Sequence, residues 1–124
     1  MLEAGKSATA STVVLEQNTA KAVGSGSLCV FSTPMMIALM EQAACECIND
    51  SLEPGQTSVG TSVEVEHTAA SPLGAEITAT ATVENIVGRK ITFSVSASDG
   101  KHQIGNGKHT RVIINAERFM AKIS

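Results

Sequence analysis

Aromatic side chains are scarce in this sequence: its 124 residues include no Trp, no Tyr and only three Phe. Binding of single-stranded nucleic acid commonly relies on bases stacked on aromatic rings, and the three Phe are scattered. Basic residues are also few, since nine Lys and Arg stand against twelve Asp and Glu, and the formal net charge is −3. Both shortages argue against a nucleic acid partner, which normally requires a basic face.

The sequence also lacks an uninterrupted apolar run long enough to cross a bilayer. Residues 22–40 carry no charge, but Gly, Ser, Thr and Pro interrupt them, and the apolar pieces that remain are too short. The first ten residues lack the apolar core of a signal peptide. The odd set of cysteines, Cys29, Cys45 and Cys47, is typical of a reducing compartment. We therefore predict a cytoplasmic protein with no membrane partner.

Apolar residues nevertheless make up 43% of the chain, a proportion typical of globular proteins. The core is predicted to consist of Val, Ile, Leu, Ala and Met, and the length suits one domain. Residues 1–11 are small and polar and are predicted to form a flexible N-terminal segment. Residues 12–124 are predicted to form the single domain.

The order of predicted elements is one strand, one long helix and four further strands. The first strand is predicted over Thr12–Thr19, and a loop follows. Thr33 and Pro34 favour a helix start, with Thr33 as the N-cap, and Glu53-Pro54-Gly55 stops the helix near Leu52. The later strands are predicted over residues 56–68, 76–84, 91–97 and 103–115. A helix packed on one face of an antiparallel sheet of about five strands, an α+β fold, is the economical arrangement.

Alternation along these strands predicts which side chains face the helix. Residues Ile77, Ala79, Ala81 and Val83 are predicted to face inward on one strand, and Ile91, Phe93, Val95 and Ala97 on the next. On the strand before them, Val59, Thr61, Val63, Val65 and His67 are predicted to share the helix-facing side.

Glu41 is the one charged residue within two adjacent apolar stripes of the predicted helix, whose other members are Met36, Met40, Ala43 and Cys47, and Ile37, Ala44 and Ile48. A helix this apolar is largely buried, and an unpaired buried carboxylate is costly. Glu41 is therefore paired, protonated or functional, or it lies at the helix edge and reaches water. The pattern leaves both interpretations open.

Two further residues could act with Glu41. His67 is predicted to face the same helix–sheet interface, where a Glu–His pair can have pKa values near neutrality; alone, it would be an inert core histidine. Thr33 is either only the N-cap or a hydroxyl at a helix N-terminus, where a base could activate it as a nucleophile. Thr33 and Glu41 lie about 12 Å apart along the helix axis, so His67 or a substrate would have to bridge them.

The segment VFSTPMMIALME, from Val30 to Glu41, resembles the helix motif of the fluoroacetyl-CoA thioesterase family, which has the hot-dog fold. The similarity continues in order through LEPG at 52–55, VGT at 59–61, HTAASPLG at 67–74, DG at 99–100 and IGNGKHTR at 104–111. It covers almost the whole chain after residue 12.

This resemblance implies a hot-dog fold, with a long helix wrapped by a curved antiparallel sheet. It also implies a homodimer, or a dimer of dimers, with active sites at the dimer interface. Thr33, Glu41 and His67 match the family's catalytic set. Gly60 matches a glycine whose backbone lies beside the thioester, and Phe31 and Pro34 of the helix motif are assigned to substrate binding.

The prediction for function is therefore hydrolysis of a small or medium acyl-CoA thioester, without a metal or organic cofactor. In this hypothesis His67, oriented by Glu41, is general base and acid, and Thr33 is the nucleophile or positions a water. The alternatives are a non-catalytic acyl-CoA-binding or sensing module and a thioesterase for acyl-carrier-protein substrates. The fluoroacetyl-specific enzyme has a longer, Phe-bearing lid before the helix, whereas Ala22–Leu28 is short and has no aromatic residue. Fluoroacetyl-CoA is therefore not predicted as the substrate.

Overall fold

One long helix lies against a five-stranded antiparallel sheet in the computed structural model, which describes residues 2–124. The strands are β1 (Ser7–Val13), β2 (Gln56–His67), β3 (Glu76–Val87), β4 (Lys90–Ser98) and β5 (Gln103–Asn115). The helices are a single turn, α1 (Ala20–Val23), the long α2 (Thr33–Ile48) and the C-terminal α3 (Ala116–Ile123). The predicted α+β architecture is confirmed.

The sheet has the strand order β1-β3-β4-β5-β2, with every neighbouring pair antiparallel. Helix α2 packs mainly on β1 and β3 and contacts β2 and β4 much less. The half of the sheet around β5 and β2 is therefore only partly covered by the helix of the same chain. Within residues 2–124, β2 pairs only with β5, so its outer edge has no strand partner.

Helix α2 begins one residue differently from the prediction. Ser32, not Thr33, is the N-cap, and its hydroxyl accepts a hydrogen bond from the backbone N–H of Met35 at 3.3 Å. Thr33 is the first helical residue, which leaves its hydroxyl free for another partner. The helix ends at Ile48, and a 3-10 turn at Asn49–Ser51 follows it. The predicted end near Leu52 thus falls just beyond that turn.

Strands β3 and β4 supply much of the core, and their predicted faces are confirmed. Eight alternating residues are buried: Ile77, Ala79, Ala81, Val83, Ile91, Phe93, Val95 and Ala97. They pack with the buried face of α2, which consists of Met36, Leu39, Met40, Ala43, Ala44, Cys47 and Ile48.

A β-bulge in β2 changes which of its side chains face inward. The register with β5 shifts between Gly60 and Ser62, so Thr61 is the extra residue. Gly60 pairs with Arg111, whereas Val63 pairs with His109 and His67 with Gly105. The predicted inward face of Val63, Val65 and His67 is confirmed, but the same prediction for Val59 and Thr61 is wrong. The bulge places Gly60 and His67 on one face although they are seven positions apart, an odd spacing that would put them on opposite faces of a regular strand.

The chain ends differ from the prediction. Strand β1 begins at Ser7 and ends at Val13, so it shares only its last two residues with the predicted strand Thr12–Thr19. Residues 7–11, predicted as part of a flexible segment, pair with β3. Helix α3 was not predicted; Asn115 caps it by accepting a hydrogen bond from the N–H of Arg118 at 2.9 Å. Within residues 2–124 no helix combines the length and the apolar character that a membrane span needs.

Candidate active site

Thr33 and His67 meet at the N-terminal end of α2. The Thr33 hydroxyl lies 2.8 Å from Nδ1 of His67. Ser32 takes the capping role, which leaves the Thr33 hydroxyl available, and His67 shares the inward face of β2 with Val63 and Val65. The other ring nitrogen of His67, Nε2, is buried and has no hydrogen-bond partner within residues 2–124. A hydroxyl held against an imidazole is the arrangement by which a base activates a nucleophile.

Burial lowers the pKa of His67 below its ordinary value of 6.5, and the backbone of Ala69 partly opposes this shift. The imidazole is therefore neutral at neutral pH. A neutral imidazole with Nδ1 unprotonated accepts a hydrogen bond from the Thr33 hydroxyl, and the proton then resides on Nε2. In this state His67 can take a proton from Thr33.

A cavity of about 270 Å³ opens beside this pair. Its walls are mostly small or apolar side chains, with Thr33 and His67 at one side: Ala20, Ser25, Val30, Phe31, Ser32, Thr68, Ala69 and Ala70. Such a cavity, apolar with a few converging polar groups, suits a small apolar group attached to a polar reactive centre.

Glu41 lies two turns further along α2 and has different partners. Its side chain is 40% exposed, so it lies at the edge of the buried helix face. Its Oε2 accepts a hydrogen bond from Nη1 of Arg111 at 3.2 Å and lies 3.9 Å from Nε2 of His109. Glu41 forms neither a hydrogen bond nor an ion pair with His67 inside the described chain. Within one chain the structure therefore brings Thr33 and His67 together and leaves Glu41 in a separate cluster.

Arg111 organises this second cluster from the inner face of β5. Its guanidinium is buried, donates from Nε to the Ser58 hydroxyl at 2.9 Å and from Nη2 to the Ser58 carbonyl at 3.1 Å, and reaches Glu41 with Nη1. These bonds match the fixed fork of guanidinium donors. Arg111 thus holds the Glu41 carboxylate in a defined position against β2.

His109 completes the cluster, with its imidazole between the Ser62 carbonyl and Arg111. It is buried and stacks on Phe93, its Nδ1 lies 2.8 Å from the carbonyl oxygen of Ser62, and its Nε2 lies 3.2 Å from Nη1 of Arg111. Burial is the largest cause that lowers its pKa, and the charge of Arg111 adds to it. If Nδ1 donates to Ser62, Nε2 is an acceptor for Arg111.

Gly60 lies directly against the Glu41–Arg111 pair. A Cβ at this position would be 2.7 Å from Oε2 of Glu41 and 3.2 Å from Nη1 of Arg111. Only a residue without a side chain leaves the carboxylate in this position.

Of Phe31 and Pro34, only Phe31 lines the cavity beside Thr33. Phe31 is fully buried, lines the cavity beside Thr33 and contributes to the core. Pro34 is exposed in the first turn of α2 and does not line that cavity.

Sequence reasoning did not assign Arg111, His109 or Ser58 to the site. The available signal was that His109 and Arg111 occupy alternate positions of β5, as inward-facing residues do. The glycines at 105 and 107 obscured that alternation. The partner Ser58 depends on the bulge, which no residue pattern marked.

The fold and the Thr–His pair define the class. A long helix cradled by a five-stranded sheet of order β1-β3-β4-β5-β2, with a hydroxyl–imidazole pair beside a small cavity, describes a hot-dog thioesterase. A protein from Thermus thermophilus described as a thioesterase superfamily member superimposes with a TM-score of 0.91 at 27% identity, covering 99% of this chain and 91% of that one.

Closer relatives identify the family. Residues 14–117 match the family described as fluoroacetyl-CoA-specific thioesterase. The fluoroacetyl-CoA thioesterase of Streptantibioticus cattleyicolor is 45% identical over 94 residues, which are 76% of this chain and 68% of that protein. A variant of such an enzyme, solved with fluoroacetate and CoA, has a TM-score of 0.90 at 36% identity and covers 95% of this chain and 99% of that one.

The chain belongs to the fluoroacetyl-CoA-specific thioesterase family. The predicted resemblance, the hot-dog fold and the class of acyl-CoA thioester hydrolase are therefore confirmed.

Proposed function

We propose that this protein hydrolyses small or medium acyl-CoA thioesters with Thr33 as nucleophile and His67 as its base. The observation that carries the proposal is the 2.8 Å hydrogen bond between the Thr33 hydroxyl and Nδ1 of His67. The cavity of about 270 Å³ beside the pair has room for a small acyl group.

In the first step His67 takes the proton of the Thr33 hydroxyl as its oxygen attacks the thioester carbonyl. The tetrahedral intermediate collapses, the C–S bond breaks and the imidazolium returns the proton to the CoA thiolate. In the second step water attacks the acyl-threonine ester, His67 again takes the proton, and the free acid leaves with the Thr33 hydroxyl restored. Backbone N–H groups at the positive end of α2 stabilise the oxyanion, together with the backbone N–H of Gly60 from a second copy of the chain.

We further propose that Glu41 acts across a homodimer interface. Both clusters lie along β2, whose outer edge is unpaired within residues 2–124. Antiparallel pairing of β2 with β2 of a second copy brings the His67 end of one strand beside the Gly60 region of the other. Glu41 of the second copy, held by Arg111, then faces the Thr33–His67 pair and orients His67 or the hydrolytic water.

The proposed reaction uses no metal or organic cofactor, because a base, a hydroxyl and backbone donors supply each step and CoA enters as part of the substrate. The homodimer and the cytoplasmic location are part of this proposal. The relatives' named substrate, fluoroacetyl-CoA, is one member of the small acyl class. We expect no preference for it, since Ala22–Leu28 carries no aromatic side chain.

The test is thiol release from acetyl-, fluoroacetyl-, butyryl- and octanoyl-CoA, with an acetyl carrier protein as a further substrate. Wild type is compared with Thr33→Ala, Glu41→Ala and His67→Ala, after circular dichroism and gel filtration have shown folded proteins of unchanged size. Thr68→Ala, which alters the same cavity without touching the pair, and His102→Ala, an exposed histidine, are the matched controls.

We expect turnover of short-chain CoA esters by wild type and both controls, and loss in the three site variants. Binding of CoA esters without turnover by wild type would favour the sensing module instead. Turnover of the carrier-bound ester alone would favour the carrier-protein thioesterase. Equal activity in wild type and the three site variants would contradict the catalytic assignment.

A further inference from the structure

A second, larger cleft of about 430 Å³ lies at the opposite end of β2 from His67. It is formed by the turn before β2, the end of β5, the β3–β4 turn and helix α3. The residues around it are Glu53, Pro54, Gln56, Arg89, Ile113, Ile114, Asn115, Arg118, Phe119 and Lys122. None of these residues belongs to the Thr33–His67 pair or to the Glu41–Arg111 cluster.

Positive charge is concentrated in this cleft, although the whole chain is acidic. Arg89, Arg118 and Lys122 face one carboxylate, Glu53, in a chain whose formal net charge is −3. All three cations are exposed. In the part of the chain that the structure describes, their side chains form no salt bridge and donate no hydrogen bond. By contrast, Lys6 pairs with Asp50 and Lys108 with Glu84.

The fold orders these cations around the cleft. The backbone carbonyl of Arg89 accepts a hydrogen bond from the N–H of Ile113 at 2.9 Å, which fixes the β3–β4 turn against β5. The Asn115 cap sets the start of α3, so that Arg118 and Lys122, four residues apart, lie on one side of that helix. Two separate elements thus bring positive charge to one cavity.

The cleft continues the face of the sheet on which the Glu41–Arg111 pair lies. Arg111, Ile113 and Asn115 alternate along β5, so their side chains share one side, and Ile113 and Asn115 border the cleft. The cleft therefore begins about 7 Å from Arg111 along the strand and extends further from it. In the proposed dimer the thioester at Thr33–His67 of one copy lies beside Gly60 of the other, and the pantetheine arm then runs along β5 of that second copy towards its cleft.

We propose that this cleft binds the nucleotide of coenzyme A, with its 3′-phosphate and diphosphate on Arg89, Arg118 and Lys122. The inference rests on the proposed function, because it supplies the distal half of the same substrate. Phosphate oxygens suit arginine and lysine donors. Phe119 and Pro54 offer the apolar surface that an adenine ring requires. The carboxylate of Glu53, which also borders the cleft, repels the phosphates and so weakens binding of the nucleotide.

Helix α3, which carries two of the three cations, extends beyond the residues that match the family. The family match ends at residue 117. Arg118, Phe119 and Lys122, which provide two of the three cations and the aromatic ring, therefore lie outside the matched residues.

The kinetic test compares acetyl-CoA with S-acetylpantetheine, which has the same thioester and arm but no nucleotide. In Arg118→Ala/Lys122→Ala we expect the KM for acetyl-CoA to rise about tenfold or more, with kcat nearly unchanged. The kcat/KM for S-acetylpantetheine stays at the wild-type value. Lys101→Ala, which removes an exposed cation from the far β4–β5 turn, leaves both substrates unaffected. Glu53→Gln lowers the KM for acetyl-CoA.

Equal losses for both substrates in the double variant, or no change for acetyl-CoA, would overturn the inference. So would a shift in gel-filtration size in place of a change in KM, because the cleft would then be a subunit contact. An increase in ionic strength is expected to raise the KM for acetyl-CoA more than that for S-acetylpantetheine, since the phosphate contacts are exposed.

Calorimetric titration with adenosine 3′,5′-bisphosphate separates this inference from the proposed function, because it needs no turnover. We expect wild type to bind the bisphosphate, and the double variant to lose most of that affinity. Retained affinity in the double variant, or equally tight binding of inorganic phosphate, would overturn the nucleotide subsite. If the bisphosphate binds as expected but no thioester is cleaved, the proposed function fails and the subsite stands.

Discussion

The hydroxyl of Thr33 and Nδ1 of His67 lie 2.8 Å apart, while Nε2 of the same histidine is buried without a partner within residues 2–124. The contact joins the first turn of the long helix to the end of β2. It leaves Nδ1 in place to accept the threonine proton. This relationship determines what substitutions at Thr33 should do.

Replacing Thr33 by Ala is expected to lower kcat by about a hundredfold or more. The variant lacks the hydroxyl that is both the proposed nucleophile and the hydrogen-bond partner of His67. Thr33→Ser keeps the hydroxyl and is expected to retain much of the activity. Mass spectrometry of the enzyme quenched during turnover should show one acyl group on Thr33. An alanine variant with wild-type kcat would exclude the nucleophile, and absence of acyl-enzyme in an active serine variant would favour a water-positioning role.

The pH dependence of kcat/KM should report the lowered pKa of His67. His67 acts as a base only when it is neutral, so activity falls as pH decreases through its pKa. Because burial lowers that pKa from 6.5, the acid limb of the profile should have its midpoint below pH 6.5. The measurement is kcat/KM for one short acyl-CoA across the acid range. A midpoint at or above pH 6.5 would show that a carboxylate beside His67, such as Glu41 of a second copy, outweighs the effect of burial on its pKa.

Substitutions at Gly60 and Gly107 are expected to separate activity from stability. At Gly60 an added Cβ would be 2.7 Å from Oε2 of Glu41, the mobile end of a side chain. The carboxylate can move away, so Gly60→Ala should fold with little loss of stability but with reduced kcat. At Gly107 the Cβ would be 2.1 Å from the backbone carbonyl oxygen of Glu64. The strands would have to separate, so Gly107→Ala should strongly destabilise the protein.

Thermal unfolding and steady-state kinetics on both alanine variants provide the comparison. We expect the melting temperature of Gly60→Ala to be close to that of wild type and the melting temperature of Gly107→Ala to be much lower. If Gly60→Ala keeps the wild-type kcat, the exact position of Glu41 does not matter for turnover.

Arg111 should contribute to stability and activity together. Arg111→Met removes the donors to Ser58 and Glu41 and should lower the free energy of unfolding by about 1–3 kcal/mol, since it leaves polar groups without partners. Arg111→Lys keeps the charge but not the fork of donors, so it should not restore kcat. Urea unfolding and kinetics measure both effects. Arg89→Lys, an exposed control, should change the free energy of unfolding by less than about 0.5 kcal/mol.

Sequence patterns were sufficient for the parts of the fold where alternation is unbroken. Ile77, Val83, Ile91 and Phe93 lie where a period of two predicts, because β3 and β4 each have one buried and one polar face. The helix was found from Pro34 and its apolar stripes. Its cap was misplaced by one residue, since Ser32 and Thr33 are both capable N-caps and only the structure distinguishes them.

The arrangement of the site could be predicted only in part. Residue patterns singled out Thr33, Glu41 and His67, and the resemblance matched them to the family's catalytic set. No pattern in the chain shows that Thr33 contacts His67 while Glu41 contacts Arg111. That division depends on the bulge at Thr61, which reverses the facing of β2 between Gly60 and Val63. Bulges arise from tertiary pairing, and a strict period of two cannot represent them.

The two edges of the sheet are unequal, and this difference limits how copies of the chain can assemble. The edge strand β1 has seven residues, most of them Ser, Thr or Ala, whereas β2 has twelve and alternates Val63 and Val65 with Glu64 and Glu66. Long exposed edges promote open-ended strand addition. If two copies join β2 to β2, each uses the same surface, the contact is isologous and no further β2 edge remains. Growth through this longer edge then stops at two chains, and the strand that carries Gly60 and His67 is protected from open-ended strand addition.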